Sequence, residues 1–236
     1  MLAAFDVESS GPEPETDRIV TACISYVDGS GVLTPETRTW LINPGVDIPQ
    51  GATDVHGITT EHARKHGQDP AEAVEEISGE LVRAAAAGTP IVAFNVPFDF
   101  TMLDRETRRH GLDPFGDEFE IVKGVAVDGF VIDKAIDPYR PGKRTLTAVA
   151  AHYGVRQDAA HDAAGDAITA ARVAWRIAST RPEIARMTLT ELHAWQVKEK
   201  RKWAASFRDY LRRQGRGDEP VDGSWPLRPW TGAEAA

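Results

Sequence analysis

The chain has a single cysteine, Cys23, which rules out an internal disulfide and any zinc site built on several thiolates. A bound metal would have to sit on oxygen or imidazole. No apolar run approaches the roughly 20 residues of a membrane span, so no contact with a membrane is expected. Met1-Leu2-Ala3-Ala4-Phe5 lacks the basic start, long apolar stretch and small-residue cleavage site of a secretory signal, and the expected compartment is cytoplasmic. Positive charge is also scarce: 27 Lys and Arg face 36 Asp and Glu, for a net charge of -9. That balance argues against tight unaided binding of a polyanion, because such affinity comes mainly from Lys and Arg on phosphates. The conflict eases if part of the acidity is a carboxylate cluster whose bound cations invert the local field. Internal repeats and low-complexity tracts are absent.

What is present is a chain of 236 residues, 42% apolar and 27% charged, enough for one α/β domain with a short appendage. Leu2 to Val7, Arg18 to Val27 and Thr37 to Ile42 have strand composition and are predicted to form an antiparallel meander. The period then changes. Ala73, Val74, Ile77, Leu81 and Val82 predict a helix over 70–87, and 90–94 reads as a short buried strand. Helices are predicted over 99–110, 145–153 and 163–179, with a further strand at Phe130 to Ile132. Strands that first run consecutively and then alternate with helices imply a mixed sheet covered on both faces. From about Arg181 the texture changes to a long helix, Leu189 to Arg213, and a Gly/Asp/Pro-rich tail with Trp225 and Trp230. The expected organisation is a domain over 1–180 and a C-terminal helical extension over 181–236. The helix's basic face is either simply solvated or a contact for nucleic acid or a partner, with Arg201, Lys202, Arg208 and Arg212 the residues that would guide a strand.

Asp6 and Glu8 lie two apart at the end of the first strand and project from one face, where two like charges repel unless a cation lies between them. Taken alone they could equally be surface acids. Asp99 follows an expected strand through Asn95-Val96-Pro97-Phe98 and could be an ordinary helix N-cap. Asp166 stands one turn into the last core helix, five residues after His161.

It is the order and setting of these residues that carries a signal. Phe5-Asp6-Val7-Glu8-Ser9-Ser10-Gly11, then Asn95-Val96-Pro97-Phe98-Asp99, then His161-Asp162-Ala163-Ala164-Gly165-Asp166 resemble the three exonuclease motifs of the DEDD superfamily. The histidine places the resemblance in the DEDDh branch, which includes the proofreading epsilon subunit of the bacterial replicative polymerase. Val55-His56-Gly57-Ile58-Thr59 resembles the family's His-Gly-Ile-Thr loop. Two positions depart from the pattern: Ser9-Ser10 stand where the family usually has Thr-Thr, and Phe94-Asn95 where it often has His-Asn.

The resemblance implies a ribonuclease H-like α/β fold with a five-stranded mixed sheet flanked by helices on both faces. It implies a 3′-to-5′ exonuclease that uses two Mg²⁺ or Mn²⁺ ions to hydrolyse phosphodiester bonds at the 3′ end of single-stranded or frayed DNA, releasing nucleoside 5′-monophosphates. Asp6, Glu8, Asp99 and Asp166 would be the metal ligands and His161 the general base. Ser9, Ser10, His56, Gly57, Ile58, Asn95 and Phe98 would surround the terminal nucleotide, although Ile58 could also be plain core and His56 a loop residue. DNA is expected over RNA, with a DNA polymerase or repair protein as a further partner. The alternatives are an exonuclease of RNA or short oligonucleotides and a noncatalytic module that binds a polymerase.

Overall fold

A computed structural model describes residues 1–28, 33–157 and 162–232. His161 lies outside the described residues. Strands β1 (Leu2–Ser9), β2 (Ile19–Val27) and β3 (Leu33–Leu41) form an antiparallel meander. Helices α1 (Gln50–His56), α2 (Thr60–His66) and α3 (Pro70–Ala86) lead to β4 (Ile91–Ala93), which pairs parallel to β1. Next come α4 (Val96–Arg109) and α5 (Phe115–Ile121), then β5 (Ala126–Asp128), parallel to β4, and α6 (Gly129–Ile136). The chain continues through α7 (Leu146–His152), α8 (Ala163–Thr180), α9 (Pro182–Ala185) and α10 (Leu189–Arg213). The sheet order is β3-β2-β1-β4-β5, the five-stranded mixed sheet expected.

Alternation along β1 divides the core in two. Ala3, Phe5 and Val7 point to one face, packed with residues of α3, α4 and α5 such as Ile77, Leu81, Phe100 and Phe115. Ala4 points to the other face, against Ala163, Ala167 and Ala171 of α8. Alanines along that side let α8 lie close over β1 and β2, while Asp6 and Glu8 share its face. Cys23 pairs with Asp6 across the ladder and is buried, and burial pushes its thiol up to about 11.

The helices predicted over 70–87, 145–153 and 163–179 and the long Leu189–Arg213 helix lie where periodicity put them. Two other assignments need correction. Phe130 to Ile132 is not a strand but the first turns of α6; the strand is the preceding Ala126–Asp128. Asp128 accepts the backbone N–H groups of Phe130 (2.9 Å) and Val131 (3.3 Å), which starts a helix just where a β-branched run suggested an extended chain. Likewise 95–98 is helical from Val96, Asn95 being the N-cap at φ 72°. Asp99 is therefore in the first turn of α4 and not at its cap.

The C-terminal segment packs tightly on the rest. Gln196 of α10 accepts the Asp128 N–H (2.7 Å) and donates to the Ala126 carbonyl (3.1 Å), so α10 closes the free edge of β5. Beyond α10 the chain turns back, burying Trp225 and bonding the Arg228 N–H to Thr101 Oγ1 at 2.9 Å on α4. Among the described residues no helix is long and apolar enough to cross a membrane.

Candidate active site

The parallel strands β1, β4 and β5 end at one edge of the sheet, the place where open α/β sheets bind ligands. Asp6 and Glu8 arrive there on β1, and the β1–β2 ladder slips between Glu8 and Ser9, a bulge that turns the chain away once both acids are presented. Asp99 comes from the first turn of α4, buried, with Oδ1 accepting the Val7 N–H at 3.2 Å. Asp166 comes from the first turn of α8, with Oδ1 accepting from Gln157 Nε2 at 2.7 Å. Two of the four acids thus sit at helix N-termini, where unpaired N–H groups favour negative charge.

The electrostatics show that these carboxylates share one locality. Asp6 is held well above the ordinary carboxylate range by burial first, then by Asp99, Glu8, Asp166 and Asp162. Although part of the Asp6 residue surface still meets solvent, its carboxyl is enclosed, so burial dominates. Glu8 is pushed up to about 7 by burial, then by Asp166 and Asp162. Asp99 is also raised, chiefly by burial, against the opposing backbone hydrogen bonds. Among the described residues, the charged neighbours with the largest effect on these three are all acids. Such a cluster favours either protons or cations between its members. Among the described residues no three His, Cys, Asp or Glu side chains stand together as a ready-made metal shell. The donor chemistry, all carboxylate oxygen, fits hard divalent cations.

A cleft of about 580 Å³ opens beside the acids, lined by Glu8, Ser9, Ser10, His56 and Phe98 among others. Ser10 Oγ donates to Asp17 Oδ1 (3.0 Å), Asp17 Oδ2 accepts the Glu13 N–H (2.8 Å), and Ser9 Oγ donates to the Gly11 carbonyl (2.7 Å). A Cβ on Gly11 would lie 2.5 Å from the Asp17 carboxylate, so any larger residue there would have to displace the side chain that holds this turn. His56 ends α1, and Gly57 beyond it takes φ 78°, a left-handed value that favours glycine. The Ile58 N–H donates to His56 Nδ1 at 3.1 Å, which leaves the ring's proton on Nε2, a buried atom with no hydrogen-bond partner among the described residues. Burial lowers the His56 pKa, and the Ser9 backbone, which lies near the ring without meeting ordinary hydrogen-bond geometry, opposes the shift. Ile58 packs with Val20, Ile48 and Ala63 and lines a smaller cavity of about 260 Å³ that also touches Glu8, His56 and Asp162. Gly57 and Asn95 line neither cavity.

Sequence reasoning missed three residues. Asp17 organises the Ser9–Gly11 turn. Asp162 caps α8 through the Gly165 N–H (3.3 Å) and adds its charge to Asp6 and Glu8. Asp128, fully buried, accepts the Asn95 (2.9 Å) and Val96 (3.1 Å) N–H groups and so holds the turn that starts α4. Asp162 lay inside a quoted motif, whereas Asp17 and Asp128 had no local signal.

Comparison with known proteins identifies the family and the fold. Residues 3–174 match the exonuclease family model, and the chain belongs to that family. A DNA polymerase III subunit epsilon-like protein of Rhodobacter capsulatus is 30% identical over 184 residues, covering 75% of this chain and 23% of its own. E. coli exonuclease I in complex with a dT13 oligonucleotide superposes with a TM-score of 0.67 at 20% identity, over 78% of this chain and 42% of that one. A moderately thermophilic exonuclease I from Methylocaldum szegediense gives 0.65 at 21% identity, over 89% and 45%. This chain thus spans about a quarter of the curated relative and under half of either exonuclease I, and the structural likeness establishes the shared fold.

Proposed function

We propose that this chain is a 3′-to-5′ exonuclease that uses two Mg²⁺ or Mn²⁺ ions to remove nucleotides from single-stranded or frayed DNA as nucleoside 5′-monophosphates. The observation that carries the reading is the mutual repulsion of Asp6, Glu8, Asp99 and Asp166 at one sheet edge, in a chain of the exonuclease family. When bound, two divalent ions supply a strong nucleophile at neutral pH and neutralise charge on the attacking and leaving oxygens. In this assignment Asp6 would serve both ions, Glu8 and Asp166 would hold one of them, and Asp99 would hold the other. Each acid has a fixed origin that limits its drift: the β1 ladder for Asp6 and Glu8, the Val7 N–H for Asp99, and Gln157 for Asp166.

His161 is assigned as the general base that would take the proton of the attacking water, a task for which imidazole, with an unperturbed pKa of about 6.5, is suited at neutral pH. The terminal nucleotide occupies the cleft at Ser9, Ser10, His56 and Phe98, where His56 Nε2–H is a donor without a hydrogen bond of ordinary geometry and Phe98 an apolar wall. Asn95 and Gly57 act through backbone shape alone. DNA is favoured as substrate by the dT13 complex of the exonuclease I neighbour, and a polymerase or repair partner by the epsilon-like relative. In this reading residues 1–180 hold the chemistry and 181–236 brace it.

The deciding assay offers single-stranded DNA, mismatched duplex and RNA, each labelled at either end, with Mg²⁺ or Mn²⁺. Stepwise shortening from the 3′ end with release of mononucleotides is expected, fastest on single-stranded DNA. Strands left intact under both metals would refute the assignment.

A further inference from the structure

Between α6 and α10 lies a groove of about 510 Å³ with no part in the chemistry above. Its floor is a ladder of rings. Trp203, Phe207 and Tyr210, spaced i, i+4, i+7 on one face of α10, stack with centroids 5.3 and 6.1 Å apart and planes within 12° and 14° of parallel. Phe207 is 37% and Tyr210 47% exposed, and Tyr139 beside them is 93% exposed. Large aromatics left in water in this way usually mark a contact surface.

The ladder is also cationic. Lys134 Nζ sits 3.9 Å over the Trp203 ring and Lys200 Nζ 5.0 Å over it. Lys202 is the third lysine on the lining, and the single acid there, Glu199, is paired with it at 3.3 Å. In a chain of net charge -9 a groove lined by three lysines and one glutamate is a local reversal of sign. One wall of it packs toward the active-site edge. Phe130, on the groove wall, meets Phe94 edge-on at 5.7 Å, and Phe94 leads directly into the Asn95 turn that presents Asp99.

Flat rings in register with flanking ammonium groups match the two repeating parts of a single nucleic-acid strand, a base with an open π-face and a phosphate. We propose that this groove binds the single-stranded substrate 5′-ward of the nucleotide being removed, bases on the Phe207–Tyr210 ladder and Tyr139, phosphates on the lysines. The proposal rests on the exonuclease reading for the direction of the strand. The basic residues of α10 then divide in function: Lys202 faces this groove, while Arg201 and Arg208 line a separate cleft against the tail at Ser224 and Trp225.

The test measures fluorescence anisotropy of a labelled 12-mer and a labelled trimer, in chelator so that no strand is consumed. The wild type should bind the 12-mer more tightly. The Phe207→Ala/Tyr210→Ala double variant should weaken the 12-mer by about tenfold or more, as the loss of one or two stacked bases implies, and the trimer by less than about twofold. Tyr139→Ala, at a nearly fully exposed position where folding is not at stake, should weaken only the 12-mer. Lys134→Gln should lower the salt slope of 12-mer binding by about 0.7. Equal binding of both lengths by the wild type, or 12-mer affinity unchanged in the ring variants, would overturn the proposal and leave the groove to a protein partner. Cleavage of the trimer by the wild type reports on the exonuclease reading separately.

Discussion

The indole of Trp225 donates its Nε1–H to Asp128 Oδ2 at 3.1 Å, across 97 residues of sequence. The same carboxylate accepts the N–H groups of Asn95 and Val96, so one buried side chain ties the C-terminal tail to the turn from which Asp99 projects. Burial raises the Asp128 pKa and the hydrogen bonds oppose the rise, so each donor lost leaves a more costly carboxylate. The tail is thereby part of the scaffold of the acidic site.

Trp225→Phe keeps the ring and removes the donor. It should cost about 1–3 kcal/mol, which for a chain of this size lowers Tm by roughly 2–4 °C per kcal/mol. Turnover should fall with it, because the Asn95 turn loosens. Trp225→Ala, which also empties a core position only 6% exposed, should cost about 3–5 kcal/mol. Thermal melts read both, and melting temperatures equal to wild type would show that the tail is dispensable.

Arg105 is buried in α4 and makes a forked pair with Glu15 (2.8 and 2.9 Å), a bond to Asp104 (2.6 Å) and bonds to the tail carbonyls of Arg228 (3.1 Å) and Pro229 (3.0 Å). Arg105→Ala leaves Asp104 buried with one cation fewer and should cost about 3–5 kcal/mol. The freed tail should become sensitive to limited proteolysis after α10. An unaltered digestion pattern would count against this clamp.

In chelator, Glu8 keeps its proton up to about 7 in the folded chain, against 4.5 for an ordinary glutamate, because burial and then Asp166 and Asp162 disfavour the charge. Folding therefore takes up a proton between those values, and metal-free stability should decline as pH rises from about 4.5 through 7. Mg²⁺ should restore more stability at pH 8 than at pH 6, since it competes with that proton, and Glu8→Gln should flatten the metal-free profile. The check is a pH series of melts with and without Mg²⁺; a metal effect independent of pH would contradict it.

Asp6→Asn removes one charge from the cluster. Cleavage should fall by at least about 10²–10³-fold, while the melting temperature in chelator rises, because the repulsion from Asp99, Glu8, Asp166 and Asp162 is relieved. Opposite signs for activity and stability separate loss of a ligand from loss of fold. His161→Ala should reduce turnover while Mg²⁺ binding by calorimetry persists; equal loss of metal binding in both variants would reject the general-base assignment.

Much of the architecture was readable in local pattern. Strands β1 and β2, helices α3 and α8 and the whole of α10 follow from periodicity and punctuation, and the acids could be named from their order along the chain. Phe130 to Ile132 misled because a short apolar run suits a buried strand and a buried helix equally, and Asp128, which decides between them, acts through its capping bonds. Helix α4 carries burial that no local pattern signals: Asp104, Arg105 and Glu106 are all buried, Arg105 beneath Glu15 and the returning tail, and Glu106 against the Ile19 N–H.

That the acids at 6, 8, 99 and 166 belong together was implied by the resemblance to the DEDDh motifs, whereas composition and pattern by themselves determined that metal chemistry, if present, would rest on oxygen and imidazole and that the chain would be α/β. These follow from residue type and from backbone periods of 2 and 3.6, which act over a few residues. Tertiary structure alone decided that the acids repel one another across three elements, that Asp128 and Trp225 brace the turn beneath Asp99, and that the rings of α10 form a lysine-edged ladder beside α6. Burial and Coulomb repulsion depend on distances through space, and those are set only when segments about a hundred residues apart have packed.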